Sequence, residues 1–294
     1  MLFGGSKNTY DFLRNDVGAR AAAQGGGFIT MSDDPDLIFY NPAGLGTLTR
    51  SRVSFGFLKH LLDINSGYAS YGTEVPNLGM IGVGVVYINY GEFDRTGEEG
   101  QDLGTFGAGD LVLNVGYGAH LNGDFTYGVG PKLIYSKIGE VNSTGGALDL
   151  GVQYIAIPNR LRLGASLLNL GTQFDLYANS RESLPIDFRF GMSLTPEHLP
   201  ATITLSFQKV NERQEDVMEH FKAFSVGSEF IISPNLLIRA GYNNERRQEL
   251  KVGSSSGLAG FSIGAGFVTD TYNLDYAYNS YGSIGALHRI SLSL

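Results

Sequence analysis

The 294-residue sequence contains no cysteine and no tryptophan, and only 17% of its residues are charged. The absence of cysteine excludes disulfide scaffolds, thiolate metal sites and cysteine nucleophiles. The charge content is lower than is usual for a soluble enzyme. The formal net charge of −8 and the dispersed lysines and arginines offer no basic surface to a nucleic acid. Nucleic acid is therefore not expected as a partner.

Long apolar runs are also missing. No stretch approaches the roughly 18 consecutive apolar residues of a membrane-spanning helix. Residues 1–7 have neither a basic leader nor a long apolar run, so no signal peptide is present in the sequence shown. If the protein is exported, we expect that a leader has been removed or left out of the numbering.

The five histidines are scattered and lack the spacing of metal ligands: His60, His120, His198, His220 and His288. A serine hydrolase needs its serine beside a histidine, but His288 and Ser291 would lie on opposite faces of one strand. The sequence therefore predicts no metal site, no cofactor and no enzymatic activity.

From about Val53 onward the sequence alternates with a period of two, which places successive side chains on opposite faces of a sheet. Between Phe125 and Ile138, one face is apolar and the other is small or polar. The apolar face comprises Phe125, Tyr127, Val129, Pro131, Leu133 and Tyr135. The opposite face comprises Thr126, Gly128, Gly130, Lys132 and Ser136. A β-sandwich and a membrane barrel both alternate in this way.

The connections distinguish these two folds. Fourteen alternating segments begin near Val53, Ile64, Gly79, Asp110, Phe125, Ala147, Arg160, Leu184, Ala201, His220, Leu236, Leu258, Tyr272 and Leu287. Short turns and mostly longer loops alternate between them, as in outer-membrane barrels with periplasmic turns and extracellular loops. The prediction is an all-β fold, a 14-stranded antiparallel transmembrane β-barrel with an N-terminal hatch.

The hatch, or plug, is predicted over residues 1–51 and the barrel over residues 52–294. Residues 1–51 lack strand alternation, and an even number of strands leaves the start of the barrel at the periplasmic side, where this segment can enter the lumen. The segment ends in the turn motif Asn41, Pro42, Ala43 and Gly44. Proline fixes its own φ and restricts the preceding residue, and glycine permits close backbone approach.

Charges on the polar face of the strands are predicted to face the lumen, because Arg or Lys facing lipid at mid-depth would cost about 2–4 kcal/mol each. These residues are Asp110, Lys132, Asp149, Arg162, Asp187, Arg189, Glu229, Arg239, Asp275 and Arg289. Two interpretations stay open: the charges pair with each other and with the hatch, or they line a path for a solute.

The N-terminal motifs carry a family resemblance. Residues 17–26 (VGARAAAQGG), the turn Asp33-Asp34-Pro35 and the motif Asn41-Pro42-Ala43-Gly44-Leu45, followed by fourteen strands, resemble the FadL-like superfamily of long-chain fatty-acid transporters. Within that superfamily the sequence is most similar to the PorV/PorQ family, which is associated with type IX secretion. The resemblance spans essentially the whole chain and is most specific in the first 50 residues.

The resemblance implies a multi-pass location in the outer membrane of a diderm, Gram-negative bacterium, with outer-membrane lipid around the barrel. The PorV/PorQ resemblance implies a partner of a secretion-system barrel or of secreted cargo. The FadL-like resemblance implies instead a hatch-gated uptake channel for a hydrophobic or amphipathic small molecule. For the second function we expect an apolar pocket beneath the extracellular loops, involving Leu61, Leu62, Phe93 and Phe106.

Overall fold

The computed structural model describes residues 8–60, 64–177, 181–212, 221–250 and 257–294. Fourteen antiparallel strands close into a barrel in which β1 pairs with β14. They are β1 (Arg52–Lys59), β2 (Asn65–Val75), β3 (Gly79–Thr96), β4 (Asp102–His120), β5 (Phe125–Ile138), β6 (Val141–Ile157), β7 (Leu161–Asp175), β8 (Asp187–Leu194), β9 (Ala201–Phe207), β10 (Phe224–Ser233), β11 (Leu236–Asn243), β12 (Phe261–Val268), β13 (Asn273–Ser280) and β14 (Ala286–Ser293).

The outer wall is apolar and the lumen is polar, as the alternation predicts. Phe57, Leu133 and Ile290 are more than half exposed on the outside, whereas Lys132 and Arg289 are buried inside. Closure leaves no unpaired sheet edge, and an apolar exterior over a fully paired sheet suits lipid. The predicted transmembrane barrel fold is confirmed.

The connections differ between the two ends of the barrel. At the end where β1 begins, here called the terminal end, every hairpin turn has six residues or fewer. The opposite end, here called the loop end, carries longer connections, including α2 (Asn244–Glu249) and a 3-10 helix at Gly282–Ile284. Two of the longer loops expected between the alternating segments, over residues 92–105 and 139–145, are wrong. Residues 139–145 are mostly strand, because β6 begins at Val141, and most of residues 92–105 belongs to the β3–β4 hairpin.

A β-bulge in β7 exchanges the two faces of the strand. Leu168 and Asn169 oppose the single residue Asp149 of β6, and Asn169 has a left-handed backbone with φ of 61°. Asparagine tolerates this conformation better than most residues. Below the bulge the inward positions are even-numbered, and above it Gln173 points inward while Phe174 points out.

The segment before β1 lies inside the barrel and extends from one end to the other. It contains α1 (Ala19–Ala23) and 3-10 helices at Asp11–Arg14, Pro35–Phe39 and Pro42–Thr47. At the loop end the Thr9 amide donates to the Ser183 carbonyl over 3.1 Å. None of the helices in the described ranges is long and apolar enough to cross a membrane. We call residues 8–51 the hatch; the division into two domains stays a prediction.

Candidate functional site

The predicted turn motif holds the hatch against the wall near the terminal end. The Asn41 side chain is fully buried, and its amide nitrogen donates to the carbonyls of Ile29 (2.9 Å) and Val152 (3.1 Å). Its side-chain oxygen accepts from the Ala43 amide (3.2 Å), which caps the helix that begins at Pro42. One side chain therefore joins two parts of the hatch to strand β6.

The wall opposite this motif is made of glycines. Gly118, Gly128 and Gly151 are direct neighbours across β4, β5 and β6, and we call them the glycine row. A β-carbon on Gly118 would lie 2.5 Å from the Gly46 amide nitrogen. One on Gly128 would overlap with the Pro42–Ala43 peptide. The hatch backbone packs directly on the sheet backbone, which only glycine permits.

The other half of the barrel holds α1 through hydrogen bonds. The C-terminal carbonyls of α1 and the carbonyl of Gly25 accept hydrogen bonds from lumen-facing side chains, and the Ala22 carbonyl also accepts from the Gly25 amide. Asn279 donates to the Ala22 carbonyl (2.7 Å) and Ser262 to the Ala23 carbonyl (3.1 Å). Asn243 donates to the Gly25 carbonyl (3.1 Å). The hatch is thus bonded to β11, β12 and β13 as well as packed on β4 to β6.

Five alternating charges connect the hatch to the barrel, and we call them the ionic latch. The Arg20 guanidinium binds Glu229 through two nitrogens, each at 2.9 Å, and Asp34 at 3.0 Å. Arg239 binds the same Glu229 at 2.7 Å and Asp275 at 2.6 Å. The bidentate geometry orients Arg20 on β10.

The remaining predicted lumen charges all lie on the inner side of the wall. Lys132 pairs with Asp149 at 2.8 Å and donates to Asn169 at 2.7 Å, next to the bulge. Other contacts are Arg189 to Asp187 at 2.7 Å, Asp110 to the hydroxyls of Tyr90 and Ser136, and Arg289 to the Asn279 side chain. Among the described residues, Arg162 and Arg289 have no carboxylate within 4.0 Å.

A buried hatch carboxylate also faces β1 and β2. Asp36 accepts hydrogen bonds from Tyr68 (2.7 Å), Ser70 (2.6 Å) and Ser54 (3.3 Å). Burial, together with the neighbouring Asp34 carboxylate, raises the pKa of Asp36 to about 8. The protonated carboxyl is therefore the favoured form below that pH.

This pKa predicts a pH dependence of stability. The unfolded carboxyl has an ordinary pKa of 3.8, so Asp36 binds a proton only in the folded state over roughly pH 4–8, and its contribution to stability falls across that range. We expect Asp36→Asn to weaken this fall. Between pH 5 and pH 8, the urea midpoint of unfolding should fall further for the unmodified protein than for D36N. Equal drops in both proteins would contradict the assignment.

An aromatic cavity of about 420 Å³ opens at the loop end between the hatch and the β3–β5 wall. We call it the outer aromatic cavity. Its rings come from Tyr10, Phe12, Tyr90, Phe93, Phe106 and Tyr177. Phe93 and Phe106 stack with their centroids 5.5 Å apart. At the base, the Tyr90 hydroxyl donates to Asp110 over 2.6 Å, and burial raises the pKa of Tyr177 to about 12. The cavity thus offers apolar ring faces with a few hydroxyls, beside the side chains of Asp11, Asp110 and Lys137.

Phe12 separates this space from a second cavity behind the hatch, the inner cavity. The inner cavity is lined by apolar side chains such as Leu13, Phe39 and Val86. The charged residues Asp16, Lys132 and Arg289 also line it. It has about 50 Å³ of free volume, far below the roughly 300–1,000 Å³ of ligand pockets. A small ligand can enter it only if the hatch moves.

The predicted ligand contacts are only partly described. Phe93 and Phe106 line the outer aromatic cavity together, whereas Leu61 and Leu62 lie outside the described residues. Sequence reasoning missed Tyr10 and Phe12, because they belong to a segment without periodicity. Tyrosines near strand ends are typical interfacial anchors of membrane barrels. Tyr90 instead lines the cavity, because the pairing of β3 is irregular after Asn89 and its hydroxyl donates to Asp110.

Comparison with known proteins identifies relatives of the fold. No family model and no curated protein matches the sequence. The structure is similar to the toluene transporter TbuX of Ralstonia pickettii, with a TM-score of 0.62, 12% identity, and coverage of 94% of this chain and 96% of that one. It is also similar to the toluene transporter TodX of Pseudomonas putida, with a TM-score of 0.61, 12% identity, and coverage of 95% and 97%.

This chain shares the fold of the TbuX and TodX structures. A third similar structure is a FadL homologue from Pseudomonas aeruginosa, with a TM-score of 0.56, 9% identity, and coverage of 94% and 97%. At these identities the likeness shows the fold alone. Because the coverage is nearly complete in both directions, the shared fold includes both the hatch and the barrel of this chain.

Proposed function

We propose that this protein is a hatch-gated channel of the outer membrane, in the FadL-like superfamily, for the uptake of hydrophobic or amphipathic small molecules. The observation that carries the proposal is the pair of cavities divided by Phe12. An aromatic opening at the loop end stands next to an apolar space that the hatch nearly fills. In this proposal the loop end is extracellular and the terminal end periplasmic.

The outer aromatic cavity would capture the solute first. Stacked and tilted rings offer a large apolar area, and the few hydroxyls limit the loss of hydrogen bonds when water leaves. Passage to the inner cavity would then require displacement of Phe12 and of the adjoining hatch. The solved structures of similar fold include two toluene transporters, which favours transport over catalysis.

Phe106→Ala tests the capture step. Loss of the aromatic contact between the Phe106 ring and toluene should cost about 1 kcal/mol, or roughly a fivefold weaker affinity for toluene. Tryptophan is absent from the chain, so a tryptophan introduced at Ile138, at the rim of the cavity, supplies a unique reporter of toluene binding to purified protein. Uptake of labelled toluene by cells that express the variants provides the second readout.

Phe174→Ala is the matched control, because Phe174 is the same residue type but faces outward and is 60% exposed. The control should bind and transport like the unmodified protein. If F106A and F174A behave alike in both assays, the outer aromatic cavity is not the capture site. If neither toluene nor octanoate binds the unmodified protein, the proposed function is wrong.

The PorV/PorQ-type function, as a partner of a secretion barrel or of secreted cargo, stays a prediction from the sequence. The structures of similar fold support the transport proposal better. Purification of the tagged protein from native outer membranes, followed by mass spectrometry of bound proteins and lipids, separates the two. Stoichiometric recovery of a secretion barrel or of cargo would favour that function over uptake.

A further inference from the structure

A third cavity, of about 440 Å³, lies at the terminal end of the barrel and differs in chemistry from the two described above. We call it the terminal cavity. Its walls come from the hairpin turns after β4 and β6, from β7 to β9, and from hatch residues Thr30, Met31 and Ser32. Hydroxyl groups of Ser193, Thr195 and Thr202 line one side. The lining is therefore polar where the outer aromatic cavity is apolar.

Arg162 is the unpaired positive charge of this cavity, and Asp124, in the turn after β4, contributes a carboxylate to the same lining. Among the described residues it has no carboxylate within 4.0 Å, and one terminal guanidinium nitrogen is shielded from solvent without a hydrogen-bond partner. The neighbouring Arg160 differs, because it pairs with Glu197 at 2.6 Å. A guanidinium in a polar cavity is well suited to bind a carboxylate or phosphate through two parallel hydrogen bonds.

A second polar group in the lining, on the hatch, also lacks a partner. Thr30 is 1% exposed, and its hydroxyl makes no hydrogen bond within the described structure. Buried hydroxyls are normally bonded, so an unbonded one beside a cavity points to a group that binds there. Deeper in the cavity, Glu229 is neutralised by Arg20 and Arg239. The free positive charge is thus confined to the Arg162 side.

We infer that the terminal cavity binds a small oxyanion, a carboxylate or a phosphate group, with Arg162 as the charged contact and the Thr30 and Ser193 hydroxyls as further contacts. The ligand reaches the cavity from the terminal end, opposite to the proposed entry of hydrophobic solutes. This inference is independent of the proposed uptake function, because it involves neither the outer aromatic cavity nor the inner one.

The absence of native cysteine permits a direct test. Ser193 lies opposite Arg162 in the β7–β8 pairing, so Ser193→Cys places a unique thiol in the terminal cavity. We would compare its reaction rates with a negatively charged sulfonate and a positively charged trimethylammonium methanethiosulfonate. The ratio of the two rates reports the local potential and is unaffected by the thiolate fraction, which scales both rates equally.

We expect S193C to react faster with the sulfonate than with the trimethylammonium reagent. Arg162→Gln in the S193C background should lower the ratio of the sulfonate rate to the trimethylammonium rate roughly three- to tenfold. Inorganic phosphate or succinate should slow the reaction of S193C but not of the R162Q variant. Protection by succinate alone identifies a carboxylate ligand, and protection by phosphate alone identifies a phosphate ligand. Arg160→Gln is the matched control, and its rate ratio should change little because Arg160 is already paired.

Two results would overturn the inference: a rate ratio that R162Q leaves unchanged, or protection that is equal with and without Arg162. Each variant must migrate as a folded barrel in unheated gels before its rates are compared. The proposed uptake function can fail with this site intact, because toluene binding is measured at the other end of the molecule.

Discussion

Replacing Gly128 by leucine should displace the hatch from the wall and leave a conducting channel. Gly128 is the centre of the glycine row, where even a β-carbon would overlap with the Pro42–Ala43 peptide. Because the obstacle is backbone, no change of side-chain rotamer relieves it. Overpacking of this kind costs about 3 kcal/mol at the upper end of the usual range. That energy corresponds to roughly a hundredfold increase in the fraction of molecules with a displaced hatch.

Conductance of purified protein in planar bilayers measures this effect, as does the sensitivity of expressing cells to large antibiotics. Gly67→Leu is the matched control. Gly67 faces outward, because its neighbours in β2 face the lumen. The atom nearest to an added β-carbon would be a backbone oxygen at 3.6 Å. Its substitution should leave the channel closed. A G128L protein that conducts no better than G67L would show that the glycine row does not hold the hatch.

Arg239→Met should destabilise the whole barrel. The Arg239 side chain is 1% exposed and neutralises Glu229 and Asp275 from the middle of the ionic latch. Methionine retains part of the volume but leaves Asp275 buried without its cation. Removal of one partner of a buried ion pair costs about 3–5 kcal/mol. The change in the free energy of unfolding is measured by urea unfolding in detergent, with the fraction of folded barrel read from its heat-modifiable migration in gels.

A second substitution tests the electrostatic cause. Asp275→Asn in the R239M background removes the uncompensated charge, while Glu229 keeps its bidentate pair with Arg20. The double variant should recover more than half of the lost stability. No recovery would mean that packing around Arg239, and not the buried carboxylate, causes the loss. The coupling between the two sites follows from the four unfolding free energies of the cycle.

The wall of the barrel was predictable because its physical cause is periodic. Lipid outside and a polar lumen inside require a period of two, and the strands beginning at Gly79, Phe125, Ala201 and Leu236 start where the alternation predicts. The bulge at Asn169 could not be predicted from this alternation. A single inserted residue exchanges the two faces without any change in composition, and the alternation of β7 before it contains no sign of the exchange.

The site was harder to predict, because its contacts join residues that are far apart in the sequence. The Asn41-Pro42 turn was recognisable from its local geometry, but the glycine row opposite it consists of single residues from three strands. In the sequence, each of these glycines is indistinguishable from any other small residue on the polar face of a strand. The ionic latch likewise depends on which strands become neighbours. The sequence identified Glu229, Arg239 and Asp275 as inward charges and could not identify Arg20 as their partner.

The course of the hatch also constrains how the molecule is assembled. Thr9 lies at the loop end, whereas Arg52, which follows the hatch, begins β1 at the opposite end. If β1 and β14 joined first, more than forty residues would have to be threaded lengthwise through a ring whose lumen has space for little besides the hatch itself. We therefore expect the wall to close around a hatch that is already in place. Ser54 and Ser291 bond the hatch beside the β1–β14 seam, so closure of that seam would bring these hatch contacts together.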